Sequence, residues 1–317
     1  MIPAFRGVGF VEHAISSAWQ QTLPPLEVIV VDDGSPDDTA RVASQWGATV
    51  IRQTNQGVTA ARNAGIRVAE GEWIALLDQD DVWLPTKLQR QAEAAQLAPE
   101  VACVVTDFYR QKGGQRSALT CLASPAYSLD AFSSTKIDRD VFLLDKAGVQ
   151  FFRTGFFMFP SSVLVRKDVL VEVGMFRPSL RLCEDVDCFL RVLSKTPLAV
   201  VCDPLWIWTE HDQNHSKDTI GICEGFLQMV EFIRDEPGLY PERMLTLIQP
   251  ALRKTRRSLV ESYASLDDFV NARRVARTLL ASSPSGKDLL YIAALELPPI
   301  LLKSVRGARR AIRALNS

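Results

Sequence analysis

The chain has 317 residues, 47% of them hydrophobic and 23% charged, with 36 basic against 37 acidic side chains and a formal net charge of -1. This is long enough for one large α/β domain with an appendage, or for two modest domains, and the even balance excludes the basic surplus expected of a nucleic-acid binder. The six cysteines form neither a C-x-x-C pair nor a zinc spacing, no basic-apolar leader opens the text, and no apolar run reaches about 18 residues, so a reduced, cytoplasmic, non-spanning protein is expected.

Apolar residues Val11, Ala14, Ile15, Ala18 and Trp19 recur at helical spacing and predict a helix over Val11 to Gln20, closed before Pro24-Pro25. The β-branched run EVIVV, Glu27 to Val31, predicts a strand that ends in Asp32-Asp33-Gly34-Ser35-Pro36, with Ser35 as helix cap and Pro36 in the first turn. The rhythm repeats with a strand at Ala48 to Arg52, a helix at Thr59 to Ala69, a strand at Trp73 to Leu77, a helix at Thr86 to Leu97 and a strand at Val101 to Thr106. Alternating strands and helices imply βαβ crossovers and a mostly parallel, Rossmann-like sheet. Met1 to Phe5 leaves little room for a first strand: either the chain begins upstream or that strand is a stub.

From Arg110 to Gln150 periodicity is lost, which predicts a variable insertion over the open face of the domain. Phe151 to Val165 reads as strand-like, a helix follows Glu184-Asp185, and Leu198 to Cys202 reads as another strand. Past Asp218 only helices are expected, at Gly225 to Arg234, Arg243 to Ala264, Asp267 to Ala281 and Lys287 to Leu297. The segment Lys303 to Ser317 is basic, with five Lys or Arg and no acid. It suits either contact with an anionic membrane leaflet or a solvated helical cap.

In open α/β sheets ligands gather at the carboxyl ends of strands. Three acidic groups stand at such places: Asp32-Asp33 after EVIVV, Asp78, Asp80 and Asp81 after WIALL, and Glu184-Asp185 at a helix start. Crowded carboxylates repel unless protonated, hydrated or neutralised. A hard divalent ion, Mg²⁺ or Mn²⁺, meets that need with one or two carboxylates plus substrate phosphates; acids complementing a helix dipole are the alternative. Asp32-Asp33 reads either as turn chemistry or as a partner for a base N–H or ribose hydroxyl. Arg62 reads as a contact to a base edge or phosphate, or as a solvated charge on its helix. Trp83 reads as a wall on the acceptor side or as core, and Trp206 and Trp208, alternate on one strand, as sugar-stacking or buried rings.

The blocks IPAF, VIVVDDGSPDDT, NQGVTAARNAG, LLDQDDVWLP and CEDVDCFLRV, in this order, resemble the inverting glycosyltransferase family 2 with its GT-A fold, over roughly Ile2 to Ser216. The resemblance implies a nucleotide-diphospho-sugar transferase domain over residues 1–217, with the variable insertion at 110–150, and an all-α extension over 218–317. By the same resemblance Pro3, Ala4 and Phe5 line the nucleotide site, Asp33 binds the base and Arg62 approaches it. Asp80 then faces the nucleotide sugar, Asp81 binds the metal, Asp185 is the catalytic base beside Glu184, and His211 lies near the diphosphate or metal. Two departures stand out: Phe5-Arg6 replaces the usual Tyr-Asn, and Trp206-Ile207-Trp208-Thr209 replaces a Tyr-Arg upstream of His211.

The implied reaction moves a sugar from a UDP- or dTDP-sugar to a saccharide or lipid-linked acceptor with inversion, in cell-surface polysaccharide or glycoconjugate synthesis. Two other functions compete. A nucleotidyltransferase would need a Gly-rich phosphate loop after Phe5, and a binding module without turnover would not need Asp81 and Asp185 together.

Overall fold

In a computed structural model, which describes residues 1–124, 129, 132–154, 157–212, 214, 217–280 and 289, the EVIVV run forms strand β2 (Ile29–Asp32), buried on both faces. Continuous β-branched text is what a doubly covered parallel strand requires. It is flanked by β1 (Ile2–Ala4) and β3 (Thr49–Arg52), both parallel to it. The first strand is thus a three-residue stub, with Ile2 opposite Val30 and Ala4 opposite Asp32. Helices α1 (Val11–Trp19), α2 (Thr39–Gln45) and α3 (Val58–Val68) complete the crossovers. Helix α2 starts at Thr39, not at Pro36, because Ser35 has other partners: its N–H donates to Asp32 and its hydroxyl accepts the N–H of Arg6.

Strand β4 (Trp73–Ala75) opens a second sheet and is tied to the start of β1: the Met1 amine donates to Ala75 O at 2.9 Å and Leu77 N–H to Met1 O at 3.1 Å. Strand β5 (Val82–Trp83), helix α4 (Lys87–Leu97) and strand β6 (Cys103–Lys112) follow. The expected aperiodic insertion holds more order than its sequence suggests. Gly113 and Gly114 have φ of 55° and 81°, the left-handed pair that a two-residue hairpin demands. They turn β6 into β7 (Gln115–Thr120), with Lys112 opposite Gln115. Strands β8 (Ser134–Lys136) and β9 (Val141–Leu144) form a second antiparallel pair, and α5 (Ala147–Thr154) replaces the strand predicted from Phe151. A 3-10 turn at Pro160–Ser162 precedes β10 (Leu164–Arg166), α6 (Lys167–Glu172), α7 (Glu184–Val192) and β11 (Leu198–Glu210).

The second sheet runs β4-β10-β6-β11-β9-β8, with β5 on β11 and β7 on β6. Here β6 and β11 are parallel and every other pair is antiparallel, so this sheet is mixed, whereas β1-β2-β3 is parallel throughout. At Pro204, which cannot donate to a ladder, the register of β11 slips; before it the strand pairs with β9 and after it with β5. Phe108 and Trp206 stack at 4.4 Å in the core beneath this crossing. Trp206 is fully buried, which settles it as core.

The described chain divides into two compact units, one of Met1–Asn214 with Glu236–Met244, the other drawn from His215–Asp235 and from Leu245 onward. In the second, α8 (Thr219–Asp235), α9 (Ile248–Ser265) and α10 (Phe269–Leu280) surround a small core that includes Cys223, Leu259, Val260, Tyr263 and Val275. Apart from Leu289, the helix expected at Lys287 to Leu297 and the basic segment from Lys303 lie outside the described residues. A partition at 217/218 leaves no place for 236–244 in the first unit. That segment is tied in by charge: Arg177 forks onto both carboxylate oxygens of Glu236 at 3.0 and 2.9 Å, and Tyr240 donates its hydroxyl to the buried Asp187. Asp187 also accepts from Arg191 and lies 3.4 Å from Arg177. Tyr240→Phe leaves this buried carboxylate short of one donor and is expected to destabilise the protein by about 1–3 kcal/mol; urea unfolding of the variant against wild type measures it.

Candidate active site

Beyond β4 the chain stays extended and apolar, with Leu76 N–H donating to Val163 O at 3.2 Å. Leu76 and Leu77 are buried, and this anchored stretch carries Asp78, Gln79, Asp80 and Asp81 to the carboxyl edge of the sheet. Each of the four side chains is then held by a different part of the fold.

Asp78 accepts from Arg62 Nη2 at 2.8 Å, while Arg62 Nη1 donates to Glu184 Oε1 at 2.7 Å. Arg62 is 3% exposed, and its Cζ lies 5.3 Å from the Phe176 ring centre. Burial disfavours the cation, but Asp78 and Glu184 outweigh it and hold the guanidinium pKa above its ordinary value. The arginine expected at a base edge or phosphate is therefore a bridge between two acidic elements, because a buried guanidinium requires carboxylate partners.

Asp81 is buried, accepting from Ser161 Oγ at 2.5 Å on one oxygen and from Thr209 N–H at 3.2 Å on the other. Burial, then the charges of Asp80 and Asp78, raise its pKa well above the ordinary carboxylate range. Each oxygen of the residue expected to bind metal thus accepts one hydrogen bond from the protein. Asp80 is more open than Asp81. Its Oδ2 lies 2.7 Å from His211 Nε2, and the two side chains are 21% and 22% exposed. Burial and Asp78 raise the Asp80 pKa against the pull of His211. The imidazole stacks on Phe10 at 5.1 Å, and Asn214 donates towards both Asp80 and Thr209 O.

Asp185 follows Glu184 at the start of α7, where Cys183 adopts a left-handed φ of 64° that turns the chain into the helix. Its Oδ1 accepts the Val186 N–H at 2.7 Å. Burial and the adjacent Glu184 push its pKa up to about 7, with Arg62 pulling it down. The structure pairs Asp80 with His211 and, through Arg62, joins Asp78 to Glu184, the neighbour of Asp185.

Other expected residues fall differently. Pro3 and Ala4 are buried in β1, so Phe5, 37% exposed, is the part of that wall with an open side chain. Asp33, expected on the base, folds the following loop: Oδ1 accepts from Gln53 Nε2 and Gln56 N–H, and Oδ2 from Gly57 N–H, at 2.7–2.8 Å. Trp83, expected on the acceptor side, is 5% exposed, and its Nε1 donates to Ser161 O at 2.9 Å. It supports the turn that holds Asp81. Gln79, Ser161 and Asn214 escaped the sequence reading; only Pro160-Ser161-Ser162 carried a signal, that of a turn.

Against known proteins, a family model described as glycosyl transferase family 2 matches residues 1–168, over half the chain, which belongs to that family. Over 193 residues it is 28% identical to an uncharacterized glycosyltransferase of Rickettsia prowazekii, covering 60% of this chain and 57% of that protein. Over 110 residues it is 34% identical to a chondroitin synthase of Escherichia coli, covering 33% of this chain and 16% of that protein. The chain thus spans a little over half of the Rickettsia relative and far less of the synthase. Among solved structures, S. aureus TarS 1-349 in complex with UDP-GlcNAc aligns over 99% of this chain and 90% of its own, with a TM-score of 0.64 at 16% identity. The mannosyltransferase PcManGT of Pyrobaculum calidifontis, in complex with GDP-Man and Mn²⁺, aligns over 99% and 84%, with a TM-score of 0.56 at 17% identity. At such identity these likenesses speak for the fold, which is GT-A.

The raised pKa of Asp185 has a stability consequence. Its folded value near 7 lies above the unfolded value of 3.8, so the folded state holds the proton longer and stability falls as pH rises between about 4 and 7. Asp185→Asn removes that loss. Relative to wild type the variant is expected to gain on the order of 2–4 kcal/mol on going from pH 4 to pH 8, measured by urea unfolding at both pH values.

Proposed function

We infer that the protein transfers a sugar from a nucleotide-diphosphate donor to an acceptor hydroxyl with inversion, using Asp185 as base. The observation that carries this reading is the Asp78–Arg62–Glu184 bridge, which joins the strand-end acids to the helix bearing Asp185 through contacts of 2.8 and 2.7 Å. Two charge problems, a leaving diphosphate and an acceptor proton, then fall to neighbouring elements.

A carboxylate near pKa 7 is a stronger base than an ordinary one and is still largely ionised in mildly alkaline solution. Asp185 draws the proton from the acceptor hydroxyl as attack on the anomeric carbon develops, and Glu184, anchored to Arg62, keeps the first turn of α7 in place. Arg62 also limits how far the Asp185 pKa rises.

Among the described residues no cluster of three or more His, Cys, Asp or Glu stands in a metal-holding arrangement. The donors that do converge, Asp80 Oδ2 and His211 Nε2, nonetheless suit an ion that completes its shell with substrate phosphates and water. We assign these two as the protein's ligands for Mn²⁺ or Mg²⁺, with Asp81 as an internal support bonded to Ser161 and Thr209. When bound, such an ion neutralises the charge developing on the diphosphate. The neighbours' UDP-GlcNAc and GDP-Man support a nucleotide-sugar donor without choosing its base. A saccharide or lipid-linked saccharide acceptor, in polysaccharide or glycoconjugate synthesis, agrees with the match to a chondroitin synthase.

Asp185→Asn is expected to lower transfer by about 10²- to 10⁴-fold while nucleoside diphosphate binding stays within about twofold. For wild type, kcat/KM should rise about tenfold per pH unit below 7 and level off above it; a flat profile with an active Asn variant would remove Asp185 from the reaction. A thermal-shift panel of UDP, GDP, dTDP and CDP, with and without Mn²⁺, identifies the base. Asp80→Ala is expected to abolish the Mn²⁺-dependent part of that shift, and an undiminished Mn²⁺ increment would contradict the ligand assignment.

A further inference from the structure

Gln79 stands between Asp78 and Asp80, and its amide faces away from both, towards the exit of β1. Its Oε1 accepts the Phe5 N–H at 3.0 Å and its Nε2 donates to Phe5 O at 3.1 Å. One primary amide thus reads both polar groups of a single backbone residue, as a neighbouring strand would. The next two residues are pinned in the same manner. Arg6 N–H donates to Ser35 Oγ at 3.0 Å and Gly7 N–H to Thr39 Oγ1 at 2.8 Å. Every N–H of this turn goes to a side chain from a different segment.

The turn is strained: Arg6 has φ of 51°, a left-handed conformation that a non-glycine residue adopts at a cost. Such strain persists where surrounding contacts over-determine it, and here three side chains do so. What the turn presents is a ring and a cation. Phe5 is 37% exposed and the Arg6 guanidinium carbon lies 5.3 Å from its ring centre, a flat pair on which an aromatic base can stack.

We propose that Gln79 is the positioning residue of the nucleobase seat, locking the Phe5-Arg6 turn to the loop that bears Asp80 and so setting where the base of the donor lies relative to its diphosphate. The proposal rests on the nucleotide-sugar reading given above. It explains why position 7 is glycine: a Cβ there would sit 2.4 Å from Gln79 Oε1, and the amide would have to leave Phe5. Gly7 and Gln79 therefore form one device, and their substitutions should not act independently.

Isothermal titration of the full chain with UDP, GDP, dTDP and CDP in Mn²⁺ tests this. For the base that wild type prefers, Gln79→Ala is expected to raise Kd about tenfold and to narrow the preference among the four bases. Gln79→Glu, which accepts from Phe5 N–H but cannot donate to Phe5 O, should lose as much. Gly7→Ala should give a similar defect, and the double variant should bind no worse than Gln79→Ala alone. Melting temperatures within about 2 °C of wild type are expected for the Gln79 variants, since the amide is partly solvated. Wild-type binding with unchanged affinity and preference in Gln79→Ala and Gln79→Glu overturns the inference alone, as do additive losses from Gly7→Ala and Gln79→Ala. A wild type that binds none of the four overturns the nucleotide reading and this inference with it.

Discussion

One buried guanidinium sets the geometry of the site. Arg62 has exchanged water for two carboxylates, and neither Asp78 nor Glu184 can move without leaving a charge uncompensated in a place where that is expensive. Asp78 belongs to the loop after β4, Glu184 to the first turn of α7. The arginine on α3 therefore fixes the separation between the acids that follow β4 and the carboxylates that open α7. The same charge lowers the pKa that burial raises on Asp185, so position and basicity depend on a single side chain.

Around that bridge the three acids of the strand-end motif differ in their partners. Asp78 faces Arg62; Asp81 is sealed between Ser161 and Thr209; Asp80 keeps an open edge and meets His211. The crowding that looked like repulsion in the sequence is relieved in three separate ways, by a guanidinium, by neutral donors and by an imidazole.

The sequence announced the periodic half of this architecture and the acidic ends of its strands. EVIVV, the α1 spacing and the α4 run fell within a few residues of β2, α1 and α4, since each is dictated by burial that repeats along the chain. The misplacements have a common origin in partners distant along the chain. Ser35 looks like a cap until Arg6 is found beside it, and Phe151 begins no strand because its apolar face packs in a cluster with Phe132 and Phe157 as part of α5. The carboxylate partners of Arg62 could not be read from the sequence because they lie 16 and 122 residues away. Gln79 carried no signal at all: an amide that bonds a backbone 74 residues earlier is invisible to spacing and composition.

The return of residues 236–244 to the first unit bears on how such chains can be recombined. Although the helices before and after them in the chain belong to another unit, Tyr240 and Glu236 are polar partners of Asp187 and Arg177, on and before the helix that begins with Glu184. Exchanging the C-terminal region between relatives at the apparent boundary therefore also exchanges part of the catalytic unit's interior. A functional chimaera has to carry a matched aromatic hydroxyl and carboxylate across the junction, so the two regions are constrained to change together even where their cores are separate.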